Sequence, residues 1–149
     1  MAASASDAHP YASDQLSLAW AAGFFDGEGC IRVNGASIRI VVSQVDPAPI
    51  VRFRELFGGQ IRHVTFRSYR RPIHVLELGS RSAASALQAL RPYLVAKAEQ
   101  ADAALEFQSG ITKPKRGSVT DPERQRRAAL GEKIRLLKWR AYEGVRGGR

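Results

Sequence analysis

Two carboxylates alternate with two glycines at one point of the chain, Asp26-Gly27-Glu28-Gly29, directly after an apolar segment. Carboxylate oxygens suit a divalent metal ion that activates water and neutralises charge during phosphodiester hydrolysis. The preceding residues 16–25 have apolar side chains at helical spacing, so the acids fall at the negative end of a helix dipole. That placement is unfavourable unless a cation lies there. The sequence therefore predicts a cation at the end of this first helix.

The same helix has an unusual face. Leu16, Ala19, Trp20, Gly23 and Phe24 share one stripe at a period of 3.6 residues. Some of the residues around this stripe are small where a core-facing helix normally has bulk, so a second backbone could approach closely. We expect a second helix to pack there, and the predicted contacts are Ala19, Trp20, Ala22, Gly23 and Asp26.

The stretch 21–29 resembles the LAGLIDADG motif of homing endonucleases, with Gly23, Asp26 and Gly29 at matching positions. The resemblance extends over about residues 16–108. It implies an α+β protein with the αββαββα LAGLIDADG homing-endonuclease fold and a saddle-shaped antiparallel sheet, to which this chain adds a C-terminal helix. It also implies a double-strand DNA endonuclease.

Site residues follow from that resemblance. Glu28 takes the position of the metal ligand, with the Gly27 carbonyl beside it, and Gln44 that of a residue orienting water. Lys97 takes the position of the active-site lysine, whose charge stabilises the developing transition state. For Asp26 the favoured role is hydrogen bonding to backbone groups at the helix end. The implied cofactor is Mg²⁺, for which Mn²⁺ substitutes, whereas Ca²⁺ binds without supporting cleavage.

The sequence contains one copy of the motif. One Glu28 is too little to cut both strands, so the resemblance implies a two-fold homodimer. Such a dimer matches a long, near-palindromic DNA site.

Charge is segregated along the chain. The formal net charge is +9, and residues 30–81 contain nine Arg and three acids. Residues 109–149 contain twelve basic and four acidic residues, whereas the segment between these blocks is nearly neutral. Two separate basic blocks favour a phosphate-binding surface and hence double-stranded DNA as partner.

Alternating strands predict which side chains face that DNA. Asn34-Gly35 predicts a hairpin whose outward row can read base edges in a major groove. In the second hairpin, Val64, Phe66, Leu76 and Leu78 are predicted to face the core. Together with the basic loop after the fourth helix, the predicted DNA-binding residues are Arg32, Asn34, Ser37, Arg39, Val41, His63, Thr65, Arg67, Arg70, Arg71, Val75, Glu77, Lys113, Lys115 and Arg116.

The pattern predicts a single domain over residues 13–143, preceded by a flexible arm at 1–12 and followed by a disordered tail at 144–149. A first helix to about Phe25 precedes the 30–44 hairpin, and a second helix ends at Phe57. The second hairpin pairs 61–68 with 72–79. Helices are predicted at 80–91, 93–107 and about 121–142, the last with its basic residues, Lys138 among them, in solvent.

No secretory signal or span of 18 apolar residues is visible, and a single cysteine excludes an internal disulfide, so an intracellular protein of the cytoplasm or nucleoid is expected. Two other functions stay open. One is a non-cleaving member of the same fold, an RNA maturase or a DNA-binding regulator. The other is a small ribosomal or nucleoid protein that binds without regard to sequence.

Overall fold

The computed structural model describes residues 14–68, 70–111 and 119–146, with side chains described as far as Arg140. The predicted arm at 1–12, the DNA-binding candidates Lys113, Lys115 and Arg116, and the last residues 147–149 lie outside this part. The elements in chain order are α1 Gln15–Glu28, β1 Gly29–Asn34, β2 Ser37–Gln44, α2 Pro47–Phe57, β3 Gln60–Val64, β4 Ile73–Gly79, α3 Ser80–Leu90, a 3₁₀ turn Arg91–Tyr93, α4 Ala98–Ser109 and α5 Asp121–Arg146.

The four strands form one antiparallel sheet in the order β1-β2-β4-β3. Ile31 lies opposite Ile40, and Ile40 lies opposite Leu78 on the other side. These side chains are buried, whereas no described residue on the opposite face of the sheet is buried. The sheet is therefore covered on one side only, as antiparallel sheets allow. The predicted α+β architecture and the first hairpin with its outward row are confirmed.

The register of the second hairpin was predicted wrongly. β3 ends at Val64, and Ile61 rather than Val64 pairs with the buried Leu76. Val64 pairs with Ile73 on the uncovered face, and Phe66 lies beyond the strand with 48% of its surface exposed. A slip of one residue exchanges the two faces of a strand. His63 consequently falls on the core-facing side, where its Nδ1 lies 2.8 Å from His74 Nδ1.

The fourth helix is also shorter than predicted. It begins at Ala98 instead of Tyr93, and residues 94–97 form a loop. α1 in turn continues to Glu28, three residues past its predicted end. Asp26, in the last turns of α1, accepts hydrogen bonds from the backbone of that loop.

The core lies between the covered face of the sheet and the helices, with Phe25, Phe53 and Phe107 fully or almost fully buried. The last helix packs against α4 and β1 through Leu130 and Ile134, which are buried. It runs to Arg146, beyond its predicted end. Within the described residues, no helix is both long and apolar enough to cross a membrane.

Candidate active site at the end of the first helix

Three features fix the position of α1. Asp14 caps its start, accepting a hydrogen bond from the Leu16 N–H at 3.1 Å. Phe25 anchors its last turns in the core. At the end, the Gly29 N–H donates to the Phe25 carbonyl, and any Cβ at position 29 would collide with the Phe25 ring. Gly29 is thus required where the chain leaves the helix for β1.

Asp26 binds a backbone segment that lies about 70 residues away in the sequence. Its Oδ2 accepts hydrogen bonds from the N–H groups of Val95 at 2.7 Å and Ala96 at 3.2 Å. Its Oδ1 accepts one from the Lys97 N–H at 2.9 Å. Three donors on one carboxylate explain why residues 94–97 form a loop instead of a helical turn. The backbone-binding role favoured for Asp26 is what the structure shows, and its carboxylate therefore serves its own chain.

Lys97 is placed by this loop at the last turn of α1. Its ammonium group donates to the Asp26 carbonyl, one of the terminal carbonyls that lack a donor within the helix. Burial lowers the pKa of Lys97, and the nearby negative charges of Asp26 and Glu28 offset part of this effect. Lys97 therefore places a positive charge at the acidic end of the first helix.

Glu28 is exposed at the end of α1, and its carboxylate accepts no hydrogen bond from the described side chains or backbone. Gly27 lies beside it in the last turn, with open space where a side chain would stand. A carboxylate and a backbone carbonyl are hard oxygen ligands of the kind that Mg²⁺ prefers, with water completing its shell. Within the described part of the chain, no three acidic, His or Cys side chains cluster as a metal site. One described chain therefore offers two oxygen ligands of the kind that suits Mg²⁺, the Glu28 carboxylate and the Gly27 carbonyl.

Gln44 is the last residue of β2, at the end of the sheet where α1 leads into β1. Gly29, which directly follows α1, pairs with Val42. Gln44 lies two residues beyond Val42 along β2, about 7 Å from it in the direction of the last turn of α1. Its Oε1 accepts a hydrogen bond from the Val45 N–H at 2.9 Å. The structure thus brings Glu28, Lys97 and Gln44 to one region, although Gln44 contacts its own backbone and neither of the other two side chains.

The exposed stripe of α1 differs from the predicted helix–helix contacts. Ala22 is fully buried in the protein's own core, so its assignment to a helix–helix interface is wrong. The stripe that faces open space comprises Leu16, Ala19, Gly23 and Gly27. Trp20 flanks it, stacked on Phe24 at 5.6 Å and covered by the Arg52 guanidinium at 4.4 Å.

The uncovered face of the sheet is largely basic. Arg39 forms an ion pair with Glu77, and Arg62 pairs with the same carboxylate at 3.2 Å. Arg62 was not predicted to face the DNA, because the register of β3 was predicted wrongly. The predicted outward residues of the first hairpin lie on this face, and so do Val75 and Glu77. His63 is instead directed to the core-facing side of the sheet. Thr65 and Arg67 follow the end of β3, and Arg70 and Arg71 are exposed in the loop before β4.

Two further side chains near the site were not predicted. Lys138 of α5 donates to Cys30 Sγ at 3.4 Å, and it is half-buried instead of solvated. Burial raises the pKa of the Cys30 thiol, but Arg32 and Lys138 lower it by more, so the net pKa lies below its ordinary value. No local signal indicates this contact, because 108 residues separate the two partners.

The order of elements, the one-sided sheet and the acidic end of α1 define the LAGLIDADG homing-endonuclease fold. The chain is similar to the homing endonuclease I-CvuI in two DNA complexes, with TM-scores of 0.66 and 0.65 and identities of 24% and 25%. Each match covers 83% of this chain and 82% of the other. One complex contains the I-CreI target with 2 mM Mg and uncleaved DNA, and the other contains the I-CvuI target with 2 mM Ca. No protein-family model and no curated protein matches the sequence.

Proposed function

We propose that this protein is a homodimeric, magnesium-dependent endonuclease that cleaves both strands of a long, near-palindromic DNA site. The observation that carries the proposal is the loop held by Asp26, which fixes the Lys97 ammonium group at the Asp26 carbonyl, in the same last turn of α1 as Glu28. A cation fixed next to an exposed, unpaired carboxylate suits a reaction in which charge develops on phosphoryl oxygens. A protein that only binds DNA has no need for this arrangement.

The uncovered sheet supplies the DNA-binding surface. Its outward rows contain Arg32, Arg39 and Arg62, and I-CvuI, which is similar in fold, is bound to DNA in both of its structures. Arginines on an antiparallel ribbon contact phosphates and guanine edges in a major groove. We place the duplex on this face, with the end of α1 at its centre.

The dimer is supported by the exposed stripe of α1. Leu16 has 79% of its surface exposed, and Gly23 and Gly27 face open space. Small residues on an apolar stripe let a second copy of α1 approach closely. Two-fold symmetry about this contact would bring two Glu28 carboxylates to the axis and match the symmetry of a near-palindromic site.

In this mechanism Glu28 and the Gly27 carbonyl would hold Mg²⁺, which would supply Lewis-acid stabilisation and activation of water. Lys97 keeps a positive charge beside the scissile phosphate. Its lowered pKa comes first from burial, and a phosphate nearby would favour the protonated form. Gln44 orients the attacking water through its amide, which both donates and accepts without adding charge.

The test is cleavage of a supercoiled plasmid library with Mg²⁺, together with DNA binding in Ca²⁺. We expect the wild-type protein to linearise a subset of the library. Glu28→Gln should bind with unchanged affinity and cleave more than about 100-fold more slowly, since loss of even an outer partner of a metal ligand costs about 10–100-fold. Glu55→Gln is the matched control, because Glu55 is exposed on α2 and packs against no site residue.

Two outcomes contradict the proposal. Binding without nicking by the wild-type protein would make it a non-cleaving member of this fold. Cleavage that survives Glu28→Gln would show that the metal is held elsewhere.

A further inference from the structure

The C-terminal helix runs alongside the edge strand of the sheet. A Cβ at Gly131 of α5 would lie 4.0 Å from the Val33 side chain of β1. Seven residues of helix advance about 10 Å, and three residues of strand also span about 10 Å. Lys138 therefore meets Cys30 because α5 and β1 advance side by side in opposite directions. The contact of 3.4 Å between Lys138 Nζ and Cys30 Sγ follows from this packing.

The lysine reaches the DNA-facing side of the sheet. Ile31 is buried in the core, so its neighbours Cys30 and Arg32 point to the uncovered face. β1 is an edge strand, and α5 passes along that edge. The Lys138 side chain thus ends on the same face as Arg32, beside Cys30, which lies two residues from Glu28 along the chain.

Lys138 also differs from several arginines of its helix. Arg126 and Arg127 form ion pairs with Glu123, and Arg135 pairs with Glu132. Within the described residues, Lys138 forms no ion pair with a carboxylate. Its charge instead acts on Lys97, whose pKa it lowers, a smaller effect than that of burial.

Lys138 and Arg32 thus lie beside Cys30 on the DNA-facing side of the sheet, and within the described residues neither forms an ion pair with a carboxylate. Two cations without a carboxylate partner on one face suit a phosphate, whose oxygens accept charge-assisted hydrogen bonds from both. We propose that Lys138 binds a phosphate of the DNA backbone next to the site at Glu28, so that α5 completes the DNA-binding surface. This inference rests on DNA being the partner, but it does not require cleavage.

The experiment measures the salt dependence of binding to a short random-sequence duplex in Ca²⁺ buffer. Lys138→Met removes the charge and keeps most of the side-chain stem. One lysine bound to one phosphate contributes about 0.9 to the slope of log Kobs against log salt concentration. We expect Lys138→Met to flatten the slope by about 0.9, and Lys138→Arg to restore it. Lys133→Met, at an exposed position of the same helix, should keep the wild-type slope.

A wild-type slope for Lys138→Met would overturn the proposal, and so would a lower melting temperature with an unchanged slope, which would assign Lys138 a structural role. Cleavage is read separately on the same variants. A flattened slope in a protein that never cleaves would leave the phosphate contact standing and refute the endonuclease. Cleavage by the wild-type protein, together with an unchanged slope for Lys138→Met, would support the endonuclease and refute the phosphate contact.

Discussion

Lys97 lies at the last turn of α1 because Asp26 accepts hydrogen bonds from the backbone of the segment that contains it. The Lys97 ammonium group in turn donates a hydrogen bond to the Asp26 carbonyl in that turn. One aspartate thus sets both the path of the loop and the position of its cation. In the proposed dimer, each Glu28 would lie beside a cation that its own chain has already fixed.

Replacing Asp26 should loosen this loop. In Asp26→Asn the amide nitrogen takes the place of one oxygen, so two of the three backbone N–H groups can lose their acceptor. Hydrogen bonds to charged groups contribute about 1.5–3 kcal/mol each, and partial exposure reduces this, so we expect a loss of about 1–3 kcal/mol in the free energy of unfolding. Urea denaturation measures the loss, and trypsin should cleave faster after Lys97.

The control for this substitution is Asp102→Asn. Asp102 also binds through both oxygens, to Arg91 at 2.6 and 2.8 Å, but this pair lies on the surface. Surface ion pairs contribute little to stability. Equal losses for the two variants, with unchanged proteolysis at Lys97, would show that Asp26 does not organise the loop.

Gly23→Leu tests the helix pair. A Cβ at Gly23 meets no atom within 4 Å, so the single chain has room for a leucine. The substitution should raise helix propensity and stabilise the isolated chain by about 0.5–1 kcal/mol. It should also separate the two copies of α1, so sedimentation should show monomers. Gln88→Leu, on the exposed side of α3, should leave the dimer intact. A dimeric Gly23→Leu protein would place the interface elsewhere.

Local sequence patterns predicted the parts of the fold that local forces determine. The first hairpin follows from strict alternation around Asn34-Gly35, although its two-residue turn is Gly35-Ala36. The cation at the end of α1 follows from the helix dipole. In β3 the apolar residues Val64 and Phe66 suggested the wrong face, because the strand is short and its register is set by pairing with β4.

The remaining differences come from contacts between distant parts of the chain. The sequence of the loop before α4 favours a helix, but the hydrogen bonds that its backbone donates to Asp26 hold it as a loop. Ala22 is small enough for a helix–helix interface, but core residues of the same chain fill the space around it. Lys138 has the spacing of a solvated residue, and only the packing of α5 along β1 brings it to Cys30.

Glu77 is expected to moderate the charge of the DNA-facing sheet, because it binds both Arg39 and Arg62. Glu77→Gln would release both guanidinium groups for phosphates. Binding to non-specific duplex should then become tighter and more dependent on salt, with the slope steeper by about 0.9 for each phosphate that an arginine binds. Glu55→Gln, on a helix that covers the other side of the sheet, should change neither quantity. An unchanged slope for Glu77→Gln would indicate that the two arginines do not reach phosphates.

Alkylation of Cys30 reports the charge around the site. The chain has one cysteine, so the mass added by iodoacetamide identifies it without ambiguity. Because its net pKa is lowered by Arg32 and Lys138 against the opposing effect of burial, more thiolate is present at a given pH than for an ordinary thiol. In buffer with EDTA, the midpoint of the rate against pH should lie below that of the protein unfolded in urea. Lys138→Met should move the midpoint upward, whereas Lys133→Met should not. A midpoint unaffected by Lys138→Met would mean that this ammonium group does not lie beside the thiol in solution.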